Sequence, residues 1–250
     1  MITIKSKQEI ELMRKAGYLV SLTHKYLKPF IKPGITTLEL DKLAEDFIRM
    51  HGGIPSCKGY QGFPKNICIS VNDEVVHGIP GKRKLKNGDI VTIDMVIGYH
   101  GYQGDAAWTY AVGSIDDKKK YLMEHTEASL YEGIKQVKPG NRIGDISNAI
   151  EVYATKHHLG IVKELVGHGI GIEMHEEPDV PNYGKKGTGP KLKSGMVICI
   201  EPMLNLGSAD IGILDDEWTI VTEDGKPSAH YEHTVLVTDT GYEILTPRLD

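Results

Sequence analysis

Apolar positions recur along this chain with two different periods, and the switches between them outline helices followed by strands. Ser6-Lys7-Gln8-Glu9 reads as a capping box, and Ile10, Met13, Gly17, Val20 and Leu27 follow at roughly helical spacing. That helix should stop before Lys32-Pro33-Gly34. A second capping box, Thr36 with Glu39, opens a helix carrying Leu40, Leu43, Phe47 and Met50 on one face, ended by Gly52-Gly53. The same grammar returns later: a charged helix over about 117–137 runs into Lys138-Pro139-Gly140, and another spans about 144–158. The two Lys-Pro-Gly turns lie 106 residues apart.

The strands repeat as well. Leu85-Lys86-Asn87-Gly88-Asp89-Ile90-Val91-Thr92-Ile93-Asp94 matches Leu192-Lys193-Ser194-Gly195-Met196-Val197-Ile198-Cys199-Ile200-Glu201 at four of ten positions, 107 residues later. Nearly equal offsets at separate landmarks point to a duplication. The expected architecture is one α+β domain, residues 1–250, with halves of about 1–113 and 114–250. Strands should meet in the middle, with helices behind them.

Composition narrows the class. The chain has 250 residues, 29 basic and 34 acidic, for a formal charge of −5. That offers no basic field for nucleic acid, and Lys118-Lys119-Lys120 reads as a solvated helix start. No apolar run approaches the ~20 residues of a membrane span, and charges at Glu9, Glu11, Arg14 and Lys15 break any signal-peptide core. Cys57, Cys68 and Cys199 are odd in number and far apart, which favours a reducing cytoplasm over a disulfide scaffold.

The chemistry gathers around acids. Both copies of the repeated strand end in a carboxylate, Asp94 and Glu201, and a second acid opens the next strand of each half, Asp105 and Glu232. A hairpin centred between Tyr99 and His100 would set Asp94 directly opposite Asp105, where like charges are destabilising. A shared proton, a basic partner or a metal ion would have to neutralise them. Four carboxylates in duplicated positions favour a shared hard-cation site at the seam between halves.

Histidines sort into two groups. His24, His51, His125, His157 and His158 lie on or near helices and are expected to be solvated or to face helix dipoles. His77 and His168 sit in His-Gly-Ile segments between apolar stretches, and glycine on both sides of His168 would let the backbone approach a ligand. His175-Glu176-Glu177 begins like a zincin helix, but position 179 is Asp, so that reading fails.

Five ordered motifs then coincide: Asn72 with His77-Gly78-Ile79-Pro80; Ile93-Asp94 with Gly104-Asp105; Gly167-His168-Gly169-Ile170-Gly171 with His175-Glu176-Glu177-Pro178; Ile200-Glu201-Pro202-Met203; and Tyr231-Glu232-His233-Thr234. Together they closely resemble the methionine aminopeptidases, in particular the short bacterial type I form, over essentially the whole chain. The resemblance implies the duplicated "pita-bread" fold, with a central antiparallel sheet backed by helices. It implies Asp94, Asp105, His168, Glu201 and Glu232 as ligands of two divalent ions (Mn, Fe, Co or Zn) that hold a bridging hydroxide, with Asp105 and Glu232 shared between them. Glu201 would also shuttle protons, His175 would polarise the carbonyl or stabilise the tetrahedral oxyanion, and His77 would contact substrate near the scissile amide.

By the same resemblance Cys57, Tyr60, Phe63, Cys68, Met174 and Trp218 surround the methionine side chain, and Asn72 and Ser228 belong to a monovalent-cation site. Phe63 stands where tyrosine is common, Met174 where an aromatic is common, and Val76 where some members have cysteine. The implied substrates are peptide and nascent-chain N-termini near the ribosome, handled by a cytoplasmic monomer without nucleic-acid or membrane recognition. Proline-specific relatives share the ligands but carry an extra N-terminal domain; with the first helix opening at Ser6, none is expected here.

Overall fold

The structure, a computed structural model, describes residues 1–249. Helix α1 is Lys7–Leu27; Ser6 Oγ accepts from the Glu9 N–H and the Glu9 carboxylate accepts from the Ser6 N–H at 2.7 Å. Helix α2 is Thr37–Met50, closed by the same reciprocal pair at Thr36 and Glu39. Helix α3, Asp117–Ile134, starts on the Asp116 carboxylate, and α4, Ile143–Lys156, on that of Asp145. Helix α3 thus ends three residues before the expected Val137, which instead closes a turn onto the Ile134 carbonyl.

The two Lys-Pro-Gly turns are tied down alike. Gly34 donates to Leu85 O and Leu85 donates back to Ile35 O; Gly140 donates to Leu192 O and Leu192 donates back to Asn141 O. Each turn therefore sits beside the loop that feeds the repeated strand of its own half.

All strand pairs are antiparallel. In the first half Ile90–Tyr99 pairs with Ile54–Pro55, Cys68–Val71 and Tyr102–Ala111. In the second, a five-stranded sheet runs in the order Tyr242–Ile244, His233–Val237, Val197–Ile200, Gly167–Gly169, Glu176–Val180. Segment 176–180 being a strand agrees with rejecting the zincin helix.

The hairpin register departs from expectation. Its turn is His100-Gly101, with Tyr99 opposite Tyr102, so Asp94 faces Ala107 and Asp105 faces Val96. His100 (φ 49°) and Gly101 (φ 86°) both adopt positive φ, the requirement of a two-residue turn whose twist matches the strands. Asp94 and Asp105 are consequently diagonal neighbours on one face of the sheet, about 7–8 Å apart by backbone geometry. Asp94 also lies mid-strand and does not end it.

Side-chain and backbone hydrogen bonds join the halves. The Asp105 N–H donates to Thr234 Oγ1 and Thr234 Oγ1–H donates to Asp105 O; Glu232 N–H donates to Ala107 O at 2.7 Å. Helix α1 crosses the hairpin where Gly17 meets Gly104: a Cβ on Gly104 would lie 2.5 Å from Gly17 N and push helix and strand apart. One buried cluster includes Val20 and Leu27 of α1, Leu40 and Ile48 of α2, Ile93 and Ile97, and Leu122, Ile134, Ile146 and Ile150 of α3 and α4. Each such side chain contributes about 1.5–3 kcal/mol of burial, so the frame holding the seam is stiff.

His24 is a second departure. It is fully buried, stacked on Trp108 with ring centroids 4.0 Å apart, and its nitrogens meet Tyr110 Oη and Ala106 O. The face of α1 that packs on the hairpin carries it inward, where burial lowers its pKa to about 3.

Candidate metal centre and substrate pocket

Three kinds of local structure deliver the acids to one place. Asp94 and Asp105 ride on the long hairpin, Glu201 sits one residue past Val197–Ile200, and Glu232 sits one residue before His233–Val237. His168 lies at the middle of Gly167–Gly169. Its flanking glycines serve strand packing, contrary to a ligand-approach role: a Cβ at Gly167 would meet Cys199 O at 2.3 Å, and one at Gly169 would meet Glu177 O at 2.2 Å.

These side chains line a cavity of about 240 Å³. Asp94, Asp105, His168, Glu201, Glu232, His77, His175, Cys57, Tyr60, Phe63, Cys68, Met174 and Trp218 all border it, so every residue expected at the metal centre or substrate pocket is brought together. Asn72 and Ser228 lie outside it, joined by Ser228 N–H donating to Asn72 O; the Asn72 side chain is engaged by Asp89 and Ile90.

The acidic end is crowded. His168 Nε2 lies 3.5 Å from Glu201 Oε1 and 3.8 Å from Asp105 Oδ2. The other His168 nitrogen, Nδ1, is 2.9 Å from Gly169 O; an N–H donated there leaves the Nε2 lone pair facing the acids. Burial first, then Glu232 and Asp94, push the Asp105 carboxyl well above its usual range. Burial and then Asp94 do the same to Glu201, and burial with Glu201 and Asp94 to Glu232. Burial also keeps the imidazoles neutral, lowering His168 to about 3 and His77 to about 4, and lowering His175 as well. Acids that resist ionising together, beside neutral imidazoles, are the donor set of a divalent cation.

Unsatisfied atoms support that fit. Asp105 Oδ1, Glu232 Oε1 and both nitrogens of His230 are buried without a hydrogen-bond partner among the described residues. Two groups have ligand atoms close enough to share an ion: Asp105, His168, Cys199 and Glu232; and Glu201, His230 and Glu232. Asp94 borders the cavity outside both groups. The Cys199 thiol, held protonated by burial and lying 3.7 Å from Thr234 Oγ1, suits a donor better than a thiolate ligand. His230 escaped the sequence reading because it belongs to no spacing pattern; its position two residues before Glu232, on the same side of the chain, was the available signal.

The other end of the cavity is apolar. Cys57, Phe63, Cys68, Val96 and Met174 pack with Tyr60, Ile79 and Trp218 as a cluster separate from the main core. Phe63 and Trp218 meet edge-on at 5.1 Å, and the Trp218 backbone N–H donates to the Asp216 carboxylate. Tyr60 Oη lies 2.7 Å from His175 Nδ1, linking the apolar wall to the acidic one. His77 adopts φ 59°, a left-handed conformation uncommon for a non-glycine residue and frequent at functional sites.

Buried acids and imidazoles at one end of a cavity, with an apolar other end, make a candidate metal site beside a pocket for an apolar side chain. The chain belongs to metallopeptidase family M24, whose model matches residues 11–239. It is 54% identical to methionine aminopeptidase 1 of Bacillus subtilis over 98% of this chain and 99% of that protein. It is 51% identical to a methionine aminopeptidase of Clostridium perfringens, again over 98% and 99%. The crystal structure of methionine aminopeptidase from Rickettsia prowazekii superposes with a TM-score of 0.98 at 43% identity, covering 99% of this chain and all of that one. The fold is therefore the expected pita-bread fold. A prolidase from Pyrococcus furiosus shares the fold alone, with a TM-score of 0.80, 24% identity and 66% of its length covered.

Proposed function

We propose that this chain removes an unblocked N-terminal methionine from peptides and nascent chains whose second residue is small. The observation that carries the reading is the single cavity with unlike ends, acids and His168 against sulfur and aromatic side chains. Residues 1–250 act as one catalytic unit of two similar halves, about 1–113 and 114–250; the matched turns and the common core support this.

Asp94, Asp105, His168, Glu201 and Glu232 would hold two divalent ions, of Mn, Fe, Co or Zn, with Asp105 and Glu232 as the acids available to both. When bound, the ions supply Lewis acidity toward water and the scissile carbonyl. The chain's own groups do the rest. Cys57, Tyr60, Phe63, Cys68, Met174 and Trp218 receive the methionine side chain, a soft fit for a thioether. Glu201 accepts a proton from water at one carboxylate oxygen and returns it to the departing amine; its place at the cavity wall beside His168 supports this.

Burial favours neutral His175; an O–H donated by Tyr60 to Nδ1 would leave the proton on Nε2, where it can donate to the oxyanion. His77, also neutral and held at an edge-on angle to Trp218, contacts the amide beside the scissile bond. A monovalent-cation site at Asn72 and Ser228 completes the set; its support is the adjacency of the two residues, whose backbones are hydrogen-bonded. The enzyme acts in the cytoplasm near the ribosome as a monomer; three free cysteines suit a reducing compartment. The net charge of −5 supplies no nucleic-acid field, and no helix among the described residues is long and apolar enough to cross a membrane.

A peptide panel tests the specificity. Met-Ala-x should be cleaved well, and Met-Lys-x, Leu-Ala-x and acetyl-Met-Ala-x poorly. Preference for Ala-Pro-x would move the chain to proline-specific chemistry, and equal cleavage of Met-Ala-x and Met-Lys-x would remove the second-residue rule.

A further inference from the structure

His230 lies against the acids but has no part in the ligand set above. It ends the strand Ser228–His230, and Thr109 grips its backbone from the first half: its N–H donates to Thr109 Oγ1 at 3.1 Å, and Thr109 Oγ1–H donates to its carbonyl at 2.9 Å. The ring position is therefore set by the seam. The side chain is 2% exposed, and neither ring nitrogen has a hydrogen-bond partner among the described residues. Burying an imidazole with both nitrogens unpaired is costly unless something else binds it.

The surrounding distances bear on this. His230 Nε2 lies 3.5 Å from Glu201 Oε2, and His168 Nε2 lies 3.5 Å from Glu201 Oε1. The two imidazoles thus flank the two oxygens of one carboxylate. Donors each about 2.1 Å from a common ion sit roughly 3.0–3.5 Å apart at octahedral or tetrahedral angles. The His230–Glu201 separation is at the limit for a hydrogen bond and normal for two ligands of one ion. Glu232 completes a group whose ligand atoms all lie within 4.8 Å of one another. His24, equally buried, provides the contrast: both of its nitrogens are matched by protein atoms.

We propose that His230 is a sixth protein ligand of the metal centre, giving the ion on the Glu201 side a second imidazole. The proposal rests on the metal-centre reading above. Its consequence is a softer, more nitrogen-rich site on that side, which raises affinity for Co, Zn or Fe relative to Mn.

The test is titration of chelator-treated protein with Co²⁺ alone, followed by calorimetry and by the visible absorption of bound cobalt, with no substrate present. His230→Gln keeps bulk and polarity but removes the imidazole. It should weaken one ion by at least about tenfold and shift the cobalt spectrum, while His168→Ala and Glu232→Gln should also weaken binding. If His230→Gln binds and absorbs like wild type while His168→Ala loses an ion, the proposal is overturned and the centre stands. If none of the three variants alters binding, the centre itself is overturned. Wild-type protein gives an answer independent of variant folding: two contact-shifted imidazoles in the proton spectrum of the cobalt form are expected, and one alone overturns the proposal.

Discussion

The strand Tyr102–Ala111 has two faces, and the molecule has a cavity on each. Toward the seam, Asp105 looks into the space of about 240 Å³ shared with Glu201 and Glu232. Behind it, Trp108 and Tyr110 line a larger space of about 460 Å³ with His24, Met123 and Arg248. Both regions bury histidine, and in both burial holds it neutral, His24 at about 3 and His168 at about 3. The difference is in satisfaction. Behind the strand, His24 is stacked on Trp108, His233 meets it edge-on, both are hydrogen-bonded, and Trp108 Nε1 is the one orphaned atom among the described lining residues. In front, acids crowd together and four buried polar atoms go without partners. Neither cavity size nor a depressed histidine identifies a site; unpaired donors converging on one point do.

The contrast predicts opposite mutational signatures. In front, Asp105→Asn or Glu232→Gln should cost more than the roughly 10–100-fold typical of an outer partner, and bound metal should fall with activity. The metal-free fold should be as stable as wild type or more so, because burial and neighbouring acids already oppose the lost charge. Metal analysis, turnover on Met-Ala-x and melting of the chelated protein check all three. Unfolding of Asp105→Asn would collapse the distinction.

His175→Ala should lower kcat by about 10²–10³-fold with metal content unchanged, because its role is toward the substrate oxygen. Loss of metal in that variant, with retention in His168→Ala, would exchange the assignments of the two histidines.

The front region was largely legible in the chain because its chemistry is carried by short motifs on repeated strands. Helix starts were legible for a similar local reason: Ser6 with Glu9 and Thr36 with Glu39 are four-residue devices. What failed depended on partners distant in sequence. The hairpin register slipped by a pair because His100 adopts positive φ as readily as Gly101 does here, which moves the turn one residue along. His24 looked like any helical histidine until Trp108, 84 positions on, covered it. His230 is visible only when Glu201 and Thr109 arrive from elsewhere.

Behind the strand, His24→Ala should destabilise the protein by roughly 2–4 kcal/mol, from a cavity and a lost partner for Ala106 O and Tyr110. Turnover per folded molecule should stay within a few-fold of wild type. Urea unfolding beside an activity assay on the folded fraction measures both. A large loss of turnover with unchanged stability would make His24 part of the site.

The smallest expected effect is a difference in how the regions answer acid. His24 and His233 have folded pKa values of about 3, against about 6.5 when unfolded, with burial the main cause. Between those values the unfolded chain holds protons that the folded chain refuses. Their contribution to stability is complete above pH 6.5 and is lost as pH falls toward 3, by up to about 1.4 kcal/mol per pH unit for each. The front carboxyls run the other way in metal-free protein: their raised pKa values make the folded state hold protons that the unfolded chain has released, so acid favours that region. Urea midpoints of chelated protein at pH 6.5 and 5 should therefore show a shallower acid loss in His24→Gln than in wild type, because glutamine does not titrate. Asp105→Asn should show a steeper one, because it lacks a group that gains protons on folding. Parallel slopes in all three proteins would mean that the two faces of the strand do not differ in the way their titrating groups require.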